Sequence, residues 1–451
     1  MAQPASSPLL ISGATLVDGN GGEPVPAVDV FIHGDEIVAV GPTGTIELPA
    51  GIVPEVLDAS GCTVMPGLID AHCHSTFDDV QSNDELFFHR PPVISALVTA
   101  FNLPKLLRAG VTSFFDPDTV HGIGPQVRDA LNAGLFEGPR MATGVQALLT
   151  SVGGTAGRLI PDEGEVGYAA VVNTLEEMVV TTRRQIKYGA DWIKIHATGS
   201  IPTHMGELQV WTLDEMKAVC DTAHALGVPV TAHCRNATAT RDAALAGVDL
   251  ILHASFLDDE ALQAILDSGA AVAPTFTFLA NLADYGDRVG ASNGMTSIFR
   301  GEIEATADKL RIAYDEGVRL LCGSESGFAL TPYGHWHARE LEVFVDALGL
   351  TPLEAITCAT RNNAFAMRMD GQLGVVAPGY RADVLVVDGD PLSDIAILQD
   401  KRRLKAVVSR GRSVDLTAPW PERRKIAGEK VGNWASEVLT YERAHGLVGA
   451  S

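Results

Sequence analysis

The middle of this chain alternates between short apolar segments and amphipathic segments, and this alternation constrains the fold more than any other feature. The pattern is typical of parallel strands joined by helices. Many helical segments end in Ala-Gly or Gly-Val, as at 245–248, where glycine supplies the helix C-cap. Eight segments are predicted to be strands: 64–72, 111–116, 140–146, 192–196, 230–233, 250–253, 271–277 and 320–325. Eight such units predict an α/β fold, a (β/α)8 TIM barrel with its chemistry at the carboxyl ends of the strands.

The sequence pattern is different at both ends of the chain. Residues 9–56 and 371–415 contain short strand-like pieces separated by Gly, Asn and Pro, which is typical of all-β structure. The simplest interpretation is a small β-sandwich domain built from both chain ends, with the barrel inserted in it. The predicted boundaries are 1–63 and 371–420 for the β-sandwich domain, 64–370 for the barrel and 421–451 for a helical tail. Within the tail, 434–445 is amphipathic.

Composition excludes several classes of partner. The net charge of −23 repels phosphate groups, so we expect neither nucleic acid nor an anionic membrane as a partner. No apolar run approaches the roughly 20 residues that span a bilayer, and no signal peptide is evident. The six cysteines lack a Cys-x-x-Cys spacing, which favours free thiols in a reducing compartment. We therefore expect a cytoplasmic protein with a small-molecule substrate, and a homo-oligomer because barrels often associate.

Polar side chains follow the predicted strands at the edge where a barrel carries its chemistry. His72 and His74 are two residues apart, so on a strand they share one face. Two neutral imidazoles at that separation suit a divalent transition metal. Other strands end in Lys194, His233, His253 and Glu325. Because burying so many polar groups is costly unless they are paired or coordinated, the sequence predicts a metal site.

Several segments resemble the metal-dependent amidohydrolase superfamily over about 9–414. They are the first-strand motif 66–74, the segment 189–195 around Lys194, the fifth- and sixth-strand histidines at 232–233 and 252–256, and the closing element 374–384. The resemblance implies one or two divalent metal ions, with zinc expected first and iron, manganese or cobalt as alternatives. It implies six ligands: His72, His74, Lys194, His233, His253 and Glu325. In one subgroup the lysine is carboxylated and bridges two metals.

Two positions leave alternatives open. Most relatives carry Asp where this chain has Glu325, so this longer side chain is either a ligand or the general base that takes a proton from water and delivers it to the leaving nitrogen. Lys194 is either carboxylated or an ammonium paired with Glu325, since burial readily changes the pKa of a lysine.

Residues at strand ends and in loops provide the remaining candidates. His204 is a second catalytic candidate, and Asp116 is a candidate supporting residue. The predicted substrate-binding residues are His196, Arg235, Tyr333, Trp336 and His337. For each of these a packing role is the alternative, because strand ends and loops also contain histidines and aromatic rings for structural reasons.

The region 194–215 resembles the imidazolonepropionase-like and dipeptidase-like branch of the superfamily. Segments 323–328 and 332–340 are closest in pattern to phenylurea and molinate (thiocarbamate) hydrolases. The resemblance implies metal-dependent hydrolysis of a C–N bond in a urea, carbamate or amide, with phenylurea hydrolysis as the sharpest hypothesis. An Xaa-Pro dipeptidase or N-acyl amino acid hydrolase is the alternative, with Arg235 and Arg158 as candidate carboxylate anchors. The non-enzymatic alternative is an inactive binding or assembly protein that kept the fold.

Overall fold

A computed structural model describes residues 7–81, 90–154, 167–203, 205–291, 295–424 and 438–447. Its helices are α1 Pro92–Arg108, α2 Gly124–Asn132, α3 Leu175–Lys187, α4 Leu213–His224, α5 Ala237–Ala246, α6 Asp259–Ser268, α7 Phe276–Tyr285, α8 Met295–Asp315, α9 Arg339–Leu348, α10 Pro352–Ala359 and α11 Tyr441–Ala444. Its strands are β1 Leu9–Leu16, β2 Val25–His33, β3 Glu36–Pro42, β4 Glu55–Asp58, β5 Thr63–Pro66, β6 Leu68–Asp70, β7 Val111–Asp116, β8 Arg140–Thr143, β9 Ala147–Leu149, β10 Ala169–Val171, β11 Ile193–His196, β12 Thr198–Thr203, β13 Gly206–Gln209, β14 Val230–Cys234, β15 Leu250–His253, β16 Ala271–Ala273, β17 Val384–Val387, β18 Leu404–Ser409 and β19 Arg412–Ser413. None of the described helices is both long and apolar enough to cross a membrane.

One eight-stranded sheet contains both ends of the chain. Its strand order is β19-β18-β17-β5-β1-β2-β3, and β4 also pairs with β1. Ile11 and Val64 from the N-terminal part pack with Val384 and Val408 from the C-terminal part in one buried cluster. A single β unit built from both ends therefore matches the sequence interpretation. Its arrangement as a sandwich and the domain boundaries stay predictions.

The parallel strands form two further sheets, β6-β7-β8 and β10-β9-β11-β14-β15-β16. Strand β11 pairs with β14 so that His196 lies beside His233, and β14 pairs with β15 so that Cys234 lies beside His253. Because parallel strands end at the same edge, these residues meet there. The mixed α/β architecture is as predicted. In the ranges described above, the strand pairings do not close into one ring, so the closed barrel stays a prediction.

The first predicted strand, 64–72, is divided at Gly67. Strand β5 belongs to the sheet of the chain ends, whereas β6 pairs with β7. A Cβ on Gly67 would lie 2.1 Å from the Thr112 hydroxyl oxygen, so glycine permits this close crossing. The strand ends at Asp70, and backbone hydrogen bonds hold the residues after it. Cys73 N–H donates to Phe115 C=O at 3.0 Å, and His74 N–H donates to the carbonyl of Ser326 at 2.7 Å.

The last two predicted strands are shorter than expected. Strand β16 stops at Ala273, and Thr275 adopts a left-handed conformation (φ +59°) before α7 begins. In the segment 320–325, Leu320 forms an isolated parallel bridge to Val272, and Glu325 again has a positive φ of +53°. Non-glycine residues adopt this conformation only where the surrounding contacts hold them there, which is common at functional sites.

Of the predicted helical tail, the structure describes only the short helix α11, because residues 425–437 lie outside the described ranges.

Candidate metal centre

Four of the predicted ligands form one buried cluster of imidazole rings. The centroids of the His72 and His74 rings are 4.9 Å apart, and those of His72 and His253 are 5.4 Å apart. The His233 ring lies 4.5 Å from that of His253. None of the four residues is more than 5% exposed. The structure thus brings together histidines from the ends of three different strands.

Three of these imidazoles, those of His72, His233 and His253, are held in their neutral form. Burial lowers the pKa of His72, His233 and His253 well below the usual value. Positive charge on Lys194 would lower all three further. A neutral imidazole keeps a lone pair on one ring nitrogen, which is the form that binds a metal.

His72, His253 and Glu325 form one of two groups whose ligand atoms lie close enough together to hold an ion, the other being His74, Asp116 and Asp118. The ligand atoms of the first group all lie within 4.8 Å of one another, and His253 Nε2 is 3.9 Å from Glu325 Oε1. His253 Nε2 is buried and has no hydrogen-bond partner among the described residues. A buried polar atom of this kind is costly unless something satisfies it, and a divalent ion would do so. The residues present therefore fit the metal that the resemblance implies.

A backbone hydrogen bond fixes the position of Glu325, and burial raises its pKa. Its N–H donates to the carbonyl of His72 at 2.7 Å, which joins the ends of the first and last units. Burial raises the pKa of Glu325 to about 8, even though Arg235 and Lys194 act in the opposite direction. A carboxyl group with this pKa exchanges its proton near neutral pH, as a general acid or base must.

Lys194 lies on β11 with 1% of its surface exposed. Burial lowers its pKa, although the carboxylates of Asp118 and Glu325 oppose that shift. A buried amine with a lowered pKa is a better nucleophile than an exposed one. Both alternatives for Lys194, the carboxylated form and the ammonium, stay open.

Two aspartates at the end of β7 lie beside His74, and sequence reasoning missed one of them. Asp116 accepts hydrogen bonds from the Ser75 N–H (2.9 Å) and hydroxyl (2.6 Å). Asp118, which was not predicted, has Oδ1 2.9 Å from His74 Nδ1, although the N–H direction is not aligned for a hydrogen bond. Its Oδ2 lies 3.1 Å from His196 Nε2. Burial would raise the pKa of Asp118, but His74, His196 and Lys194 hold it well below the usual range.

His196 packs against the cluster. Its ring stacks on that of His233, with centroids 5.0 Å apart and an angle of 11° between the planes. Burial lowers its pKa despite the contact with Asp118. Since one face covers a predicted ligand and one nitrogen contacts Asp118, its geometry favours support of the cluster over the predicted substrate contact.

Two further carboxylates that were not predicted, those of Glu207 and Glu302, lie beside Arg235. Arg235 forms a two-point ion pair with Glu302 (2.7 and 3.2 Å) and lies 3.8 Å from a Glu207 oxygen. Glu207 Oε2 is 2.9 Å from His233 Nε2. The guanidinium is therefore paired with protein carboxylates, which disfavours its predicted role in substrate binding.

Tyr333, Trp336 and His337 are buried, with their polar atoms bound to protein groups. The Tyr333 hydroxyl donates to the His74 carbonyl and accepts from the Asp78 N–H. Trp336 Nε1–H donates to the carbonyl of Leu439 at 2.8 Å, and His337 Nδ1 lies 2.7 Å from Asp70 Oδ2. These placements favour packing roles over the predicted substrate contacts. The other two candidates, His204 and Arg158, lie outside the described residues.

Other aromatic rings lie against the cluster. The Phe77 ring stacks on His74 with centroids 4.2 Å apart, and Phe328 contacts both. Tyr168 lies next to Phe77 and His196, and Phe278 next to Phe328. One side of the centre is thus an apolar wall.

Comparison with known proteins agrees with this geometry. Residues 63–414 match the Amidohydrolase family. The chain belongs to the amidohydrolase family. The resemblance seen in the sequence is confirmed, and this family typically uses a divalent metal.

Individual relatives make the assignment more specific. The chain is 26% identical to ochratoxinase of Aspergillus niger over 455 residues, which is 95% of this chain and 88% of that protein. A crystal structure of a prolidase complexed with N-methylphosphonate-L-proline is 29% identical, with a TM-score of 0.77 over 90% of this chain and 99% of that one. Phenylurea hydrolase B, at 22% identity and a TM-score of 0.74 over 93% and 100% of the two chains, shares the fold. Together they support an enzyme that hydrolyses amide C–N bonds.

Proposed function

We propose that this amidohydrolase cleaves the C–N bond of a small urea, carbamate or amide with a divalent metal bound at the histidine cluster. The observation that carries the proposal is the buried Nε2 of His253, which lies near the ligand atoms of His72 and Glu325 and has no hydrogen-bond partner in the part of the chain that the structure describes. A divalent ion bound there would supply Lewis acidity and activate water. We expect His72, His74, Lys194, His233 and His253 as ligands of one or two ions, zinc first. Glu325 is either a sixth ligand or the general base beside the ion.

Side chains of the protein transfer the proton and provide the anionic ligand. Glu325 takes a proton from the attacking water and delivers it to the nitrogen of the leaving amine, because its carboxyl group lies next to His72 and His253 at the centre. Lys194 as a neutral amine can add to carbon dioxide, forming an N–C bond and releasing one proton, which turns a basic side chain into an anionic ligand. Burial lowers its pKa and so favours the neutral amine.

Two substrate classes are separated by specific observations. The aromatic wall of Phe77, Tyr168 and Phe328 favours an aryl substrate, of which a phenylurea is the sharpest example. The ion pair between Arg235 and Glu302 disfavours binding of a substrate carboxylate at that arginine. The prolidase relative, at 29% identity, favours Xaa-Pro dipeptides or N-acyl amino acids instead.

The test is metal analysis followed by an amine-release assay on the purified chain. Chelator-treated protein is reloaded with zinc, manganese, cobalt or iron and offered phenylureas, carbamates, N-acyl amino acids and Xaa-Pro dipeptides. We expect at least one bound ion per chain and metal-dependent release of amine from one class. The His72→Ala variant should lose both properties. His224→Ala, which removes a histidine paired with Asp249 outside the cluster, should keep both.

Two results would contradict the proposal. Wild-type protein with no bound metal after reloading would favour the inactive binding protein. Release of amine that persists after complete metal removal would exclude the metal-dependent reaction.

A further inference from the structure

The hairpin formed by β12 and β13 presses against the segment after β14. Glu207 N–H donates to the Arg235 carbonyl at 3.0 Å, and the Asn236 side-chain amide donates to the Glu207 carbonyl at 2.6 Å. Gly206 at the turn has φ +87°, and a Cβ there would lie 1.9 Å from the Arg235 carbonyl oxygen. The hairpin therefore has a fixed position relative to the end of β14, where His233 lies.

This position brings the Glu207 carboxylate to one edge of the His233 ring. Glu207 Oε2 is 2.9 Å from His233 Nε2 and also accepts a hydrogen bond from the Thr198 hydroxyl at 2.9 Å. The Glu207 side chain is 14% exposed, and that of His233 is 6% exposed. The contact is thus largely shielded from water, which strengthens a hydrogen bond to a charged group.

The hydrogen bond determines which ring nitrogen of His233 carries the proton and which carries the lone pair. A carboxylate only accepts hydrogen bonds, so the proton of a neutral imidazole resides on Nε2 of His233. Nδ1 then carries the lone pair. The same ring lies between His196 and His253, at centroid distances of 5.0 and 4.5 Å, so it belongs to the cluster.

We propose that Glu207 is a positioning residue that fixes the tautomer and orientation of His233 and thereby raises the affinity of the cluster for a divalent metal. This inference rests on the proposed metal-dependent function. Carboxylates that accept a hydrogen bond from a ligand histidine orient the ring and make it more basic, and their loss typically weakens metal binding 10- to 100-fold. Because Glu207 lies on the β12–β13 hairpin, this hairpin and not the parallel sheet supplies the support.

The experiment measures zinc affinity by competition with a chromogenic chelator for wild type, Glu207→Ala and Glu207→Gln. We expect Glu207→Ala to bind zinc about 10- to 100-fold more weakly. In Glu207→Gln the amide oxygen can still accept the hydrogen bond but carries no charge, so we expect a smaller loss of about 3- to 10-fold. The visible spectrum of the cobalt-loaded protein should change in the same order, since it reports the ligand geometry.

The matched control is Asp249→Asn. Asp249 Oδ2 lies 2.8 Å from His224 Nε2, so this variant removes a carboxylate from a histidine outside the cluster. Its zinc affinity should equal that of wild type.

Several results would overturn the inference. Unchanged zinc affinity in Glu207→Ala, with a lower unfolding temperature of the metal-free protein, would give Glu207 a purely structural role. An equal loss in Asp249→Asn would indicate general destabilisation. If Glu207→Ala does not fold, unchanged affinity and an unchanged cobalt spectrum in Glu207→Gln would overturn the inference in the same way. Failure of wild type to bind zinc would instead remove the proposed function on which the inference rests.

Discussion

The buried carboxyl group of Glu325 should make the metal-free protein less stable as the pH rises. Its pKa is raised from 4.5 to about 8, mainly by burial. Between these values the folded protein holds a proton that the unfolded chain has released, so stability falls with increasing pH. At 1.36 kcal/mol per pH unit, the loss from pH 5 to pH 9 is about 4 kcal/mol. Because the side chain is 15% exposed, water reduces this figure, which is therefore an upper limit.

The Glu325→Gln variant isolates this contribution. Glutamine nearly preserves the shape of the side chain but cannot ionise, so the variant should lack this part of the pH dependence. The assay is denaturant unfolding of chelator-treated wild type and variant at pH 5, 7 and 9. We expect the free energy of unfolding of wild type to fall relative to that of the variant by up to about 4 kcal/mol across this range. Asp370→Asn, at an exposed carboxylate paired with Arg319, should behave as wild type does.

Bound metal should reduce the pH-dependent loss of stability that Glu325 causes. A bound divalent cation stabilises the ionised carboxylate, so zinc should reduce the difference between wild type and variant. Turnover of zinc-loaded Glu325→Gln should fall on the order of 10²–10⁴, the usual effect of losing a positioned acid–base group. Parallel pH profiles of the two metal-free proteins would refute the argument that burial perturbs this carboxyl group.

The remaining predictions concern the other groups of the centre. His72→Ala and His74→Ala should each lose bound metal and more than about nine-tenths of activity, because a metal ligand should matter at least as much as a residue that supports one. Circular dichroism should show that both variants keep the fold. Retained activity in either variant would contradict the ligand assignment. Lys194→Ala should lose metal and activity, and short carboxylates should partly restore both if the lysine is carboxylated. An unmodified lysine in a crystal structure of the active enzyme would exclude that form. Asp118→Asn should weaken zinc binding about 10- to 100-fold, as measured by chelator competition. Equal zinc affinities of this variant and wild type would remove Asp118 from the support of the cluster.

The order of the strands and the residues at their ends could be predicted because both are local signals. Alternating apolar segments indicated β7, β11, β14 and β15, and the rule that parallel strands end at one edge predicted that their terminal side chains would meet. Asp118 was missed although it had the same signal as the histidines. With Asp116 it forms an Asp-x-Asp pair at the end of β7, equivalent in spacing to the His-x-His pair.

Other features had no local signal. Glu207 reaches His233 only because a hairpin folds back over the end of β14, and nothing in the sequence around it indicates that contact. The division of the first strand at Gly67 depends on the approach of Thr112, which is distant in sequence. Aromatic and basic residues in loops, such as Trp336 and Arg235, were predicted from residue type alone, whereas their partners Leu439 and Glu302 come from elsewhere in the chain.

The charges around Lys194 connect its chemical state to the number of metal ions. Three buried carboxyl groups, Asp116, Asp118 and Glu325, act on this one amine. If all three ionise against an ammonium, the group has an excess of two negative charges, which one divalent ion balances. Burial raises the pKa of Asp116 and Glu325, so in the metal-free protein both carboxyl groups keep a proton to a higher pH than exposed carboxyl groups do. Carboxylation of Lys194 replaces a positive charge with a negative one and increases the excess to four, which two divalent ions balance. Counting only Lys194 and these three carboxyl groups, one divalent ion with an ammonium and two divalent ions with a carboxylated lysine would each leave no net charge. Because a buried net charge is costly, we expect the measured number of bound ions to report the chemical state of Lys194.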